Sequence, residues 1–423
     1  MKLVSSVRSP LRQVRAFHPS AKLFLLATLM DGVVYSAWTL FFNFYILERG
    51  FDRQFLGLVN AMPAVGALVL GIPLGVLSDR IGRKISMLLG IGCAIVGMGL
   101  EVTVLDPVLI LVTAFIAGLG TMLYYISQAP FMMKVSNNEN RALLFSLNFG
   151  LVTLAGAAGN IFAGQLPSLF GGWLHVSPRS PQAYQAVLLS AVALSLLSLI
   201  PLVVLREPSS PQPDPEKPPS PFWKIVFHPV TMKLSLPNLL IGLGAAVLMP
   251  YMNVFFYERF SLPDQSLGWL FGVAALMTGV GSVVGPRLAN RLGGKIRAVV
   301  FTQSASLVFL LMTGFTPWLD LVFFSFLMRS VLMNMSVPLY HTFAMEQVVE
   351  SEQGTVNSVL EWSWQFGWMI GPYISGVVQQ FYGFSPLFIA TAITYGLANV
   401  VTWVYFQQHD HEGLTLSSRT MGV

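Results

Sequence analysis

Charge is scarce in this sequence. Only 10% of its 423 residues are Asp, Glu, Lys or Arg, while 54% are apolar, a balance that ordinary soluble domains do not reach. Cysteine is scarcer still. The one thiol, Cys93, stands in an apolar stretch, which excludes a disulfide framework and a thiolate metal cluster. Also missing are a P-loop, an H-E-x-x-H pair, a nucleophile elbow and a Gly-rich nucleotide fingerprint between strand and helix. Nothing in the chain therefore points to an enzyme, to ATP hydrolysis or to a bound cofactor.

What is present is a series of long apolar runs. From Leu23 to Phe406 they recur at about 20 residues each, long enough to cross a hydrocarbon core of roughly 30 Å as helices. Twelve are expected, at 22–46, 54–76, 85–104, 108–133, 142–165, 182–205, 234–256, 266–286, 298–318, 320–344, 355–380 and 384–406. An even number places both termini on one side. The first 20 residues carry Lys2, Arg8, Arg12 and Arg15 without an acid or a cleavage site, so they read as a cytoplasmic arm and not a secretory signal. Most Lys and Arg fall in that arm, the even-numbered loops and the C-terminal tail. The other side holds only Arg49, Arg53, Arg179 and Arg259. By the positive-inside rule both tails are cytoplasmic, and the net charge of +5 reflects topology, not a nucleic-acid partner.

The Pro-rich polar stretch at 206–224 divides six spans from six. The expected organisation is an N-terminal six-helix bundle at 1–205, a linker at 206–233, and a C-terminal bundle with a tail at 234–423. The halves repeat one another. Asn43–Arg49 (NFYILER) returns as Asn253–Arg259 (NVFFYER), Gln54 and Gly57 as Gln265 and Gly268, and Asp79–Lys84 (DRIGRK) as Asn290–Lys295 (NRLGGK). A parallel repeat of six spans is an internal symmetry of secondary transporters, with substrate bound at mid-membrane between the halves.

The turn between spans two and three packs its charges into GVLSDRIGRK, residues 75–84. Gly75 and Gly82 permit close approach and a tight turn. Arg80, Arg83 and Lys84 hold the turn at the cytoplasm, and Asp79 can pair with Arg83 or with the free N–H groups of a neighbouring helix start. These residues resemble the G-x-L-S-D-R-x-G-R-K signature of the major facilitator superfamily, in its expected place. The resemblance covers the whole chain. It implies an all-α membrane protein of twelve transmembrane helices, arranged as two six-helix bundles related by a pseudo-two-fold axis and working by alternating access. It also implies that Gly75, Asp79, Arg80, Gly82, Arg83 and Lys84 form a conformational gate, latched when the carrier faces outward. In the second copy Asn290 replaces the acid and Gly294 an arginine, so the gate is asymmetric.

Three charged residues fall well inside spans: Asp31, Arg329 and Glu361. A charge at that depth costs a few kcal/mol and is a functional candidate by default, with structural ion pairing as the alternative. Asp31 is followed at helical spacing by Tyr35, Trp38 and Phe42. A lone carboxylate there is suited to take up and release a proton. Drug/proton antiporters of the superfamily often carry such an acid in span one, and the resemblance implies that spans one, four, seven and ten line the cavity. It would set Asp31 and Arg329 facing one another. Tyr124 and Gln128 in span four, and Asn238, Tyr251 and Asn253 in span seven, are further cavity candidates, with interhelical bonding as their bland alternative. The antiporters' R-x-x-Q-G-x-G pattern is only partly matched by AFIAGLG, Ala114–Gly120, which lacks the arginine and glutamine. Glu361 and His341 lie at comparable depth near the cytoplasmic side, where they could exchange a proton or form a structural pair.

The expected function is a secondary active transporter in the plasma membrane, monomeric and in contact with membrane lipid, exporting amphipathic or drug-like small molecules against protons. Alternatives are an uptake symporter or uniporter of a small anionic metabolite bound by Arg329, a lipid or lysolipid flippase, and a membrane assembly or pigment-delivery factor on the same fold.

Overall fold

A computed structural model describes residues 17–137, 140–207, 222–349 and 352–407. The four basic residues of the N-terminal arm, most of the 206–224 linker and the C-terminal tail lie outside the described residues.

The described residues are helical with short turns and no strand. The N-terminal spans are Pro19–Glu48, Arg53–Ile81, Arg83–Glu101, Pro107–Lys134, Arg141–Ala163 and Pro181–Val204. Spans seven to twelve are Pro229–Phe260, Asp264–Leu292, Lys295–Phe315, Leu319–Glu346, Gln353–Tyr382 and Ser385–Phe406. Two short helices, Leu166–Leu174 and Phe222–Val226, flank spans five and seven. Local chemistry sets many ends. Asp52, Asp106 and Ser180 cap their helices through the N–H groups of Phe55, Leu109 and Ala183, and Pro19, Pro107, Pro181 and Pro229 stand where a missing N–H costs nothing. Gly82 and Gly293, repeat equivalents, break the chain at φ of 88° and 74°, in the left-handed region that glycine enters freely.

Among the described residues eleven helices are long and apolar enough to cross a membrane. The twelfth, Gln353–Tyr382, has 30 residues but is diluted by Asn357, Glu361, Gln365, Gln379 and Gln380, side chains a span tolerates when it faces protein or a cavity.

The packing is two-fold throughout. Span one lies against five and six, as seven does against eleven and twelve; two against four, as eight against ten; three against four, as nine against ten. The halves meet along two equivalent seams, two against eleven and eight against five. Glycines make the seams close. A β-carbon at Gly57 would lie 2.5 Å from the carbonyl oxygen of Pro372, and one at Gly268 2.5 Å from that of Asn160.

The largest apolar core belongs to both halves and lies away from the 79–84 turn. It unites Phe41, Phe44 and Tyr184 with Phe255, Phe256 and Phe388, and Phe44 meets Tyr257 edge-on at 5.7 Å. Toward the 79–84 turn the cores are separate: Phe24, Met87, Phe131 and Leu202 in one half, Leu234, Ile296, Phe343 and Leu360 in the other. The bundle is joined at the far end and parted at the hairpin end.

Candidate functional site

Closure at the far end is polar as well as apolar. The repeat-equivalent Asn43 and Asn253 meet across the two-fold axis: the Asn43 amide donates to Asn253 Oδ1 at 3.0 Å and to the Pro250 carbonyl at 2.6 Å, while the Asn253 amide donates to the Leu40 carbonyl at 2.8 Å. The Asn60 amide donates to Asn43 Oδ1 at 3.0 Å. Asn253 is therefore a buried closure residue, 2% exposed, and not the cavity residue expected. Two ion pairs join the halves nearby, Arg53 with Glu258 and Arg179 with Asp264 at 3.5 Å. Tyr184 donates its hydroxyl to Asp264, and the Arg179 guanidinium lies 3.7 Å above the Tyr257 ring.

Arg49 and Arg259 do equivalent work on each side. The first donates to the Val104 carbonyl at 2.7 Å, the second to the Thr316 carbonyl at 3.0 Å, tying spans one and seven to the loops that open spans four and ten. The four basic residues that break the charge asymmetry are thus all engaged at the far end. Their isolation on the base-poor side was the signal available in the sequence.

At the hairpin end the turn bonds within its own half. Asp79 pairs with Arg83, whose other arm donates to Ser78 Oγ at 2.7 Å. Lys84 Nζ donates to the Val203 carbonyl at 2.7 Å. The free N–H groups of the third span's first turn go to a residue the sequence reading passed over: Glu207 accepts from the Lys84 backbone N–H at 2.9 Å and from Lys134 Nζ at 2.6 Å. Burial alone would raise the Glu207 carboxyl, but Lys134 and these backbone donors hold it below its ordinary 4.5. Arg80 is exposed. A β-carbon at Gly75 would meet open space, contrary to the close approach expected there, because the halves are parted at this end. Gly82 makes its turn as expected.

Asp31 is half-buried in span one and accepts a hydrogen bond from Tyr125 at 3.3 Å. Tyr35, one turn on, is 61% exposed; Trp38 stacks on Phe42 at 4.9 Å. Among the described residues Asp31 has no cationic partner. Tyr124 is a correction. It is 2% exposed, packed with Phe24, Met87 and Phe131, and it is its neighbour Tyr125 that reaches Asp31, since adjacent helix residues point about 100° apart. Gln128 is also buried, 8% exposed on the same face as Tyr124.

Arg329 is a second correction. It is 7% exposed, and its guanidinium reaches Tyr395 of span twelve at 3.4 Å while its Nε stays unpartnered. It turns into its own half and does not face Asp31. Asn238 and Tyr251 bond span seven to span eleven through the Leu360 and Pro372 carbonyls at 2.6 and 3.1 Å, and so are interhelical ties.

A cavity of about 1350 Å³ opens toward the hairpin end, lined by spans five, eight, ten and eleven. His341 and Glu361 both line it, but no hydrogen bond or ion pair joins them among the described residues.

Comparison with known proteins agrees with this architecture. The family model of the Major Facilitator Superfamily matches residues 23–246 and 234–421. A multidrug resistance protein, MdtG, of Yersinia enterocolitica is 26% identical over 174 residues, 40% of this chain and 41% of that protein. A putative sugar efflux transporter of Deinococcus radiodurans is 24% identical over 41% of this chain and 45% of its own length. The aligned stretch thus spans less than half of each curated relative. Among solved structures, a bacterial homologue of the human lysosomal transporter Spinster, in an inward-facing and occupied conformation, superposes with a TM-score of 0.75 at 15% identity, covering 91% of this chain and 95% of that one.

Proposed function

This chain belongs to the Major Facilitator Superfamily, whose model matches it in both halves, and from that membership we propose that it exports amphipathic or drug-like small molecules in exchange for protons. That it is a multi-pass membrane transporter and not an enzyme follows from the family; the substrate class, the direction and the coupling ion are the proposal. The hairpin end, with its Lys and Arg, faces the cytoplasm, so closure at the far end makes this an inward-open state.

One observation carries the reading. Asp31 is half-buried in the middle of span one, hydrogen-bonded by Tyr125, with no cationic partner among the described residues, and a carboxylate held in the membrane without a counter-charge is most readily accommodated by binding a proton or a cationic cargo. Exchange of the two at one site couples their fluxes. The partial similarity to a multidrug resistance protein supports the same class. Uptake of an anion through Arg329 is less well supported, because that side chain turns toward Tyr395.

The test is flux of a lipophilic cationic dye in proteoliposomes under an imposed pH gradient. Gradient-driven transport by the wild type that is lost in Asp31→Asn is expected. A wild type that moves no dye in response to the gradient would overturn the reading.

A further inference from the structure

The cavity between spans five, eight, ten and eleven has a composition of its own. Among its lining residues there is one acid, Glu361, one histidine, His341, and neither Lys nor Arg. Glu361 is exposed to it and forms no ion pair or hydrogen bond among the described residues. It stands eight residues beyond Gln353, the first of its helix, about 12 Å along the axis, below the polar surface and within one leaflet. The nearby amide of Asn334 is already taken by the Ser330 carbonyl at 2.9 Å.

The cavity is also open to the side. Spans five and eight approach closely from the far end to mid-depth, at Gly164 with Gly268, Ala157 with Gly272, and Thr153 with Gly279. Toward the hairpin end from there, apolar side chains of the two spans are uncovered: Phe149 is 55% exposed and Val283 70%. A β-carbon on Gly150 would meet nothing within 4 Å.

We propose that this side opening admits a lipophilic monocation directly from the cytoplasmic leaflet, and that Glu361 is its counter-charge. An unpaired carboxylate inside a leaflet is costly and is relieved by a cation. An anion finds neither Lys nor Arg on this wall. A sugar or nucleoside would need many fixed hydrogen-bond partners, and the hydroxyls of Thr153 and Ser282 on this wall are turned to their own helix backbone. Phe145 and Phe149 add ring faces that attract a delocalised or quaternary cation. The inference rests on the transport reading above, since its ligand is that carrier's cargo, but it makes Glu361 the counter-charge at the entrance and leaves exchange against the proton to Asp31.

The experiment is equilibrium binding to the full chain in lipid nanodiscs without a gradient, with tetraphenylphosphonium as probe and neutral triphenylphosphine oxide as comparator. Glu361→Gln is expected to weaken tetraphenylphosphonium at least about tenfold while changing triphenylphosphine oxide less than about twofold, the signature of a lost charge contact in an intact fold. Gly150→Trp, a plug in open space, should slow association of the bilayer-partitioned probe but not of tetraethylammonium, which stays in water. Unchanged tetraphenylphosphonium affinity in Glu361→Gln, or a wild type that binds only the neutral comparator, overturns the assignment of Glu361. Equal slowing of both cations by Gly150→Trp, or slowing of neither, overturns the route from the leaflet. Because no turnover is read, a protein that binds the cation through Glu361 yet moves no dye would sink the export reading and leave this one standing.

Discussion

At the scale of single residues, helical phase decides what a polar side chain does. Span four carries Tyr124 and Tyr125 side by side; one is core, the other bonds Asp31. Composition cannot separate them, because the choice depends on which face of span four meets spans one and three. Glu207 shows the same limit from the other side. In the sequence it stands at the start of a Pro-rich stretch; in the fold it caps the third span and pairs with Lys134. Its carboxyl is held below the ordinary value, so its contribution is complete above that ordinary value and is lost as the pH falls through the lower native one. Glu207→Gln should therefore melt below the wild type at neutral pH, by about 1 kcal/mol or somewhat more, and the two should converge in acid. Thermal unfolding in detergent across that range checks it, and a difference that grows in acid would contradict the sign.

At the scale of helices, the periodicity of apolar residues and the capping residues made the elements legible. Span twelve was expected at 384–406 and runs Ser385–Phe406; span one was expected at 22–46 and runs Pro19–Glu48, longer because the His18–Pro19 start and the Arg49 end lie beyond its apolar part. The glycine run of span eleven, Gly367, Gly371 and Gly376, has the one-turn spacing that suits close packing between the halves. Only its far end meets the other half: Gly376 lies against Arg53 and Gln54, whereas Gly367 and Gly371 pack on span seven within their own half. The seam glycines carry a clear expectation. A methyl at Gly57 or Gly268 cannot fit beneath the facing carbonyl, so Gly57→Ala and Gly268→Ala should each disfavour the closed far end by about 1–3 kcal/mol, the usual cost of overpacking. Spin-label distances between the far ends of spans two and eleven should lengthen in Gly57→Ala, and an unchanged distribution would show that the seam relaxes without cost.

At the scale of the whole molecule, the state is set by where the cores are shared. A continuous aromatic core joins the halves at one end and separate cores face each other at the other. Of the two ion pairs at the closed end, Arg53 with Glu258 is partly exposed, at 26% and 33%, and a pair of that kind is worth about 1 kcal/mol or less. Burial of the aromatic side chains there is worth several times more. Arg53→Ala should accordingly shift the open-to-closed ratio at the far end by no more than about fivefold, read by accessibility of a cysteine placed behind the seam. A collapse to the outward-open state in that variant would mean that the ion pairs, not the shared core, hold the closure.

By itself the sequence determined the membrane as solvent, the twelve spans, the repeat and the charged turn at 79–84. All of these are written in local composition and spacing, and a span must satisfy its own backbone wherever it lies. Only the tertiary structure decided which end is closed, that Asn43 meets Asn253 across the two-fold axis, that Arg329 turns to Tyr395, and that Glu361 faces an open cavity alone. Those outcomes depend on the rotation of each helix about its axis and on how two stable halves lean together, and neither is encoded within a single span.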